Sequence, residues 1–191
     1  MANVNTKAHV LVRDGFACQF CGQLVFLSQG VKVLDMHVPG LELWDLHGKI
    51  EPLRTRWATV DHLVPEVEGG MDTLDNLAAC CVACNSRKGG TSAPAPPRPE
   101  AKGNWDGLSG LFLGLADRYA DRLSKEDQKW RRALEREGVQ PRLDPLDAVL
   151  AALQGMKRGD VADVDATLHA AAASPPRVLG GVNRGNPGDV T

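Results

Sequence analysis

The placement of cysteine constrains this chain more than any other feature. Five are present, at Cys18, Cys21, Cys80, Cys81 and Cys84. Two Cys-x-x-Cys pairs, far apart in sequence, are the spacing by which thiolates grip one cation, and Zn²⁺ is satisfied by four of them in a tetrahedron. Cys18, Cys21, Cys81 and Cys84 are therefore expected to hold a zinc ion. Four protein ligands leave no open position, so this zinc should be structural. Gly22 supplies the backbone freedom that a zinc knuckle needs. Cys80 breaks the two-residue spacing and reads as a buried, spare thiol. The odd cysteine count argues against a disulfide framework. Met1–His9 is polar and lacks the apolar core of a signal peptide, and no apolar run approaches the roughly 18 residues of a membrane span, so a cytoplasmic location away from membranes is expected.

Between and beyond the cysteine pairs the pattern changes several times. Residues 6–14 suggest a short helix. Residues 24–57, with Val25, Leu27, Val31 and Val33 and turns at Pro39-Gly40 and Gly48, read as short strands and loops. Trp57–Val60 is β-prone and ends at Asp61-His62. A loop follows over 63–72, then a short helix containing Leu74, Leu77 and Ala78, capped by Asp72 or Thr73. Residues 93–103 hold four prolines among alanines and read as a semi-rigid linker. Beyond it Leu108, Leu111, Phe112, Leu115 and Tyr119 share one helical face. Ser124 with Asp127 resembles a capping box, Asp144-Pro145 opens another helix, and a fourth weak one runs over 160–168. Residues 174–191 read as a disordered tail. The fold expectation is α+β, with domain limits at 1–92, 93–103, 104–173 and 174–191.

Four stretches in order and spacing carry a family resemblance. Val12-Arg13-Asp14-Gly15-Phe16-Ala17-Cys18-Gln19-Phe20-Cys21-Gly22 is followed by Thr59-Val60-Asp61-His62-Leu63-Val64-Pro65. The pattern continues through Gly69-Gly70-Met71-Asp72-Thr73-Leu74-Asp75-Asn76-Leu77 and closes on Cys81-Val82-Ala83-Cys84-Asn85-Ser86-Arg87-Lys88-Gly89. The combination resembles HNH endonucleases of the four-cysteine zinc type and covers under half of the chain. The 39 residues between Cys21 and Asp61 exceed the compact family spacing, so 24–57 is an insertion. The helical C-terminal half lies outside the motif.

The resemblance implies a ββα-metal fold: two antiparallel strands and a helix gripping one catalytic cation. By position, His62 ends the first strand as general base, and Asp61 and Asn85 match the cation ligands. Asn76 matches the middle Asn, which braces the loop bearing the base. Asn85 stands where many relatives have His, and its oxygen suits a hard cation such as Mg²⁺ or Mn²⁺. A neutral imidazole can take a proton from water, and a divalent cation polarises the phosphate and stabilises the departing 3′-oxygen. The implied products carry 3′-hydroxyl and 5′-phosphate ends. Arg87 and Lys88 are candidate phosphate contacts, on duplex DNA as the expected substrate. His37 and His47 lie in the insertion without a motif.

Charge sets a condition on this reading. The net charge is −2; residues 1–92 hold 8 Lys+Arg against 10 Asp+Glu, and residues 93–191 hold 14 against 14. Attraction to a polyanion must come from a local patch or from a metal among the acids. Two alternatives stay open: a catalytically silent zinc module that binds nucleic acid or protein, and a nuclease active only with a partner, as in phage packaging or restriction. Asp61, His62 and Asn85 together favour catalysis, and the C-terminal helices are where a protein partner would dock.

Overall fold

Five residues with a β-branched centre, Ala58–His62, form strand β1, which pairs antiparallel with β2, Leu77–Cys81. The register sets Ala58 opposite Cys81, Val60 opposite Ala79 and His62 opposite Leu77. The computed structural model describes residues 2–46, 51–92 and 104–173. The expected linker, the expected tail and His47 lie outside the described residues. Helix α1, Val4–Arg13, precedes the hairpin, and α5, Val82–Lys88, leaves β2 directly. Both pack on the hairpin. The class is α+β, a two-stranded sheet followed by a helical C-terminal region.

The insertion is where structure and sequence pattern part. Residues 24–57 were expected as strands and loops, but they contain α2, Ser28–His37, and the one-turn helices α3, Leu43–Leu46, and α4, Leu53–Arg56. Among its described residues, β-bridges occur only at its ends, from Leu24 to Ala17 and from Phe26 to Trp57. The valines at 31 and 33 favour strands by local preference, yet Leu27, Val31 and Leu34 recur at helical spacing and all are buried. Burial against a neighbouring helix overrode the local preference. The Asp35 carboxylate then accepts from the amides of Leu43, at 2.8 Å, and Trp44, which closes the N-terminus of α3. A second correction concerns Leu77 and Ala78. The expected helix is a 3-10 turn over Leu74–Asn76, and the chain then runs straight into β2, whose five residues are all buried.

The C-terminal helices are α6, Ser109–Ala116, α7, Lys125–Arg136, α8, Leu146–Arg158, and α9, Val164–Ala172. Helix α6 is apolar on almost every side and packs on α2, while α7 packs on α1. Trp105 anchors the return of the chain: its indole donates to Val25 O at 3.0 Å and meets the Phe26 ring edge-on at 5.5 Å. One continuous apolar core therefore runs from Leu11 and Phe26 through Phe112 to Leu153. At α8 the expected cap is not made. Pro145 takes the cap position, and Asp144 instead pairs with Arg142 at 3.0 Å. No helix among the described residues is long and apolar enough to cross a membrane.

Helix α7 opens with the capping box read from Ser124 and Asp127, and Asp127 also pairs with Lys32 of α2. Burial works to raise the Asp127 carboxyl, but its bonds to Lys32 and Ser124 outweigh that and hold it below the ordinary carboxylate value. A folded-state value below the unfolded one stabilises the protein above the unfolded value, and that contribution fades as pH falls through the folded one. Asp127→Asn is expected to cost about 1–3 kcal/mol at neutral pH and to flatten the acid limb of stability, as read by urea unfolding across pH.

Candidate active site and metal centre

The knuckle is a tight reversal. Gly22 adopts φ +74°, and its amide donates to Cys18 O at 2.8 Å, turning Cys21 back beside Cys18. The far pair rides on the junction of β2 and α5, where Cys81 caps the helix and its sulfur accepts from the Cys84 amide at 3.4 Å. The four sulfurs of Cys18, Cys21, Cys81 and Cys84 come within 4.8 Å of one another, so the cluster could hold zinc. Cys80 stands outside that set, fully buried, with its thiol on Cys81 O. The thiols oppose joint ionisation. A hydrogen bond from Cys80 outweighs burial and draws Cys18 down to about 4, whereas burial pushes Cys21 up to about 11 and also raises Cys84. A dication among them removes that opposition and releases protons as it binds.

The second centre is built at the other end of the hairpin. Asp61, His62, Thr59 and Asn85 line one cleft of about 550 Å³, together with Lys88 and Glu66. The Asp61 carboxylate is turned back along its own strand, with Oδ1 accepting the His62 amide at 2.9 Å. Its Oδ2 lies 2.9 Å from Lys88 Nζ. Lys88, expected on phosphate, thus points inward, its side chain only 7% exposed, while Arg87 is exposed on the outer face of α5. Asn85 donates from Nδ2 to Thr59 Oγ1 at 3.3 Å, and Thr59 in turn donates to Cys80 O at 2.8 Å. That chain of bonds links the helix face to the cysteine end of the hairpin.

Asn76 clamps the loop after His62. Its Oδ1 accepts from the Val64 amide at 2.8 Å, its Nδ2 donates to Val64 O and Met71 O at 3.0 Å each, and its carbonyl accepts from Leu63. Gly70 lets the clamp close, because a Cβ there would lie 1.7 Å from Val64 O. Gly70→Ala is expected to lower the melting temperature by the equivalent of about 1–3 kcal/mol, since rigid backbone must move. An unchanged melting temperature would mean that the loop is not held this tightly.

Two features escaped the sequence reading. Asp72, read only as a helix cap, places Oδ1 2.7 Å from His62 Nε2, with Glu66 also near the ring at 3.8 Å. These three side chains form a second cluster with metal-ligand chemistry. The other is Arg13-Asp14. Asp14 is buried and accepts the Ala79 amide at 2.8 Å, while Arg13 bonds Asp14 and the carbonyls of Leu74 and Leu77. Their place just before the first cysteine pair was the available signal. His37 meets Tyr119 at 3.0 Å and His9 pairs with Glu137, so both join elements of the scaffold.

Strand, clamped loop, strand and helix thus surround one cleft, with a cluster of four cysteines at the other end of the hairpin. Residues 47–91 match the family described as HNH endonuclease, and the chain carries an HNH domain there. No curated protein and no solved structure matches the chain.

Proposed function

We propose that this chain is a metal-dependent HNH endonuclease that hydrolyses phosphodiester bonds of DNA. The observation that carries the proposal is the convergence of Asp61, His62 and Asn85 on one cleft. His62 is the general base. An ionised Asp72 beside Nε2 keeps the proton on that nitrogen and leaves Nδ1 to accept the proton of water. Asn76 and Gly70 hold the loop, and with it Asp72, against the ring.

Asp61 and Asn85 would hold the catalytic cation, Mg²⁺ or Mn²⁺. The donor set fits: Asp61 is a largely buried carboxylate that needs a positive neighbour, and Lys88 supplies one here. Asn85 spends its amide nitrogen on Thr59, which leaves its carbonyl oxygen for a hard ion. Such a cation, when bound, supplies charge neutralisation at the phosphate and at the leaving oxygen. Lys88, once released from Asp61, is positioned to meet a phosphate, and Arg87 to touch the backbone outside the cleft. Cys18, Cys21, Cys81 and Cys84 would hold structural Zn²⁺.

The test is cleavage by the purified chain of duplex DNA, single-stranded DNA and RNA, with Mg²⁺, Mn²⁺ or chelator. Metal-dependent nicks with 3′-hydroxyl and 5′-phosphate ends are expected on duplex. Absence of cleavage on every substrate with every metal would sink the autonomous enzyme and favour the silent or partner-dependent readings.

A further inference from the structure

The net charge of −2 poses the question of where a polyanion would be held. The motif region offers little: within the cleft, Lys88 is paired with Asp61, and Glu66 adds a second acid. A second groove, of about 490 Å³, adjoins it and shares Ala2 and Lys7 with it. Its walls are the start of α1 and one face of α7, and they bring together Lys7, Lys129, Arg132 and Arg136 against the single acid Glu126. Trp130 of α7 lines the catalytic cleft itself, so the two grooves are joined through one helix.

The cations of this face are available. Lys7 and Arg132 have no acidic partner among the described residues. Arg136 is held by neutral oxygens, Asn5 Oδ1 at 2.5 Å and Arg132 O at 3.1 Å, and so keeps its charge uncompensated. Lys129 meets Glu126 at 3.2 Å in an exposed pair of little worth. Arg131, on another side of α7, is instead consumed by Asp117 and Glu135. Positions 129, 132 and 136 fall on one helical stripe spanning about 10 Å, comparable to about three nucleotides of rise at ~3.4 Å each.

We propose that the Lys7–Lys129–Arg132–Arg136 face is the phosphate-docking surface for the duplex DNA flank beside the cleavage site. The inference rests on the nuclease reading for its substrate. It assigns to α7, outside the HNH match, the attraction that the motif region lacks.

The experiment uses full-length, zinc-loaded protein and a fluorescent blunt DNA duplex, with binding read by anisotropy across salt in the presence of chelator for the loosely held cation only. Lys129→Gln/Arg132→Gln should weaken binding about tenfold or more at ~0.1 M salt and reduce the slope of log K against log salt by about 2. Adding Arg136→Gln should extend the loss, and the exposed control Arg158→Gln, on α8, should change neither. Melting temperatures within error of wild type show that the fold is retained. Under cleavage conditions the double variant should lose kcat/KM and keep kcat at saturating DNA. Unchanged affinity and salt slope in the double variant, or a wild type that does not bind duplex at low salt, overturns the docking surface. Binding and cleavage measured on the same wild-type protein separate the two readings. Salt-dependent binding through α7 without any cleavage would remove the nuclease and leave the surface.

Discussion

Replacing Cys84 with serine, or stripping the chain with a strong chelator, is expected to unfold the hairpin and α5 and to abolish any activity. Structural four-cysteine sites contribute about 10–16 kcal/mol of apparent binding free energy, as large as the whole stability of an ordinary domain at about 5–15 kcal/mol. Little else could replace it here. The hairpin has only five residues per strand, and its end at Cys81 is held to the knuckle through the cluster. Metal analysis should give about one zinc per chain in the wild type and none in Cys84→Ser, with loss of the cooperative melt. Cys80→Ser is the informative comparison. Cys80 lies outside the cluster, so zinc should stay at full occupancy and stability should fall only by about 1–2 kcal/mol for a buried hydroxyl. Zinc lost from Cys80→Ser and retained by Cys84→Ser would reassign the ligands.

His62→Ala should lower turnover by about 10²–10⁴-fold while leaving the fold and duplex affinity intact. The side chain caps no helix; it is only 13% exposed, lines the cleft and bonds the more exposed Asp72. Its removal therefore takes away a proton acceptor and little else. Added imidazole, small enough to enter the vacated place, should restore part of the rate. Undiminished cleavage by His62→Ala would move the base elsewhere, with Glu66 and Asp72 next to examine. A melt shifted by several degrees would instead assign the residue to the scaffold.

Legibility in the sequence followed the range of the interactions involved. That the four cysteines cluster, and that Asp61, His62 and Asn85 line one cleft, was legible because the motif fixes particular residue types at particular spacings. The Ser124–Asp127 box and α1 were readable because caps and periodicity are local. Helix α2 was not, because Val31 and Val33 are buried in a helix that packs on α6, a segment more than 70 residues distant, and local sequence carries no sign of that packing. Asp72 and Arg13-Asp14 were missed for the same reason: their partners are loop and strand atoms that folding alone brings close. Lys88 was read as a surface cation because basic helix ends are usually solvated, yet the nearby carboxylate of Asp61 draws it inward.

The knuckle also decides what the outer edge of β2 can do. A strand with a free edge is a template for another chain. Here the outward amide of Ala79 is taken by Asp14 and its outward carbonyl by the Gln19 amide at 2.9 Å, so the edge offers nothing at its centre. Gln19 sits between Cys18 and Cys21, so a metal held by that pair would keep it in place. As the hairpin opens on loss of a metal, the apolar, alanine- and cysteine-rich segment Leu77–Cys81 is exposed, and the metal-free chain is expected to self-associate through it. A zinc ion held by the four cysteines would then act as a guard against aggregation as well as a staple.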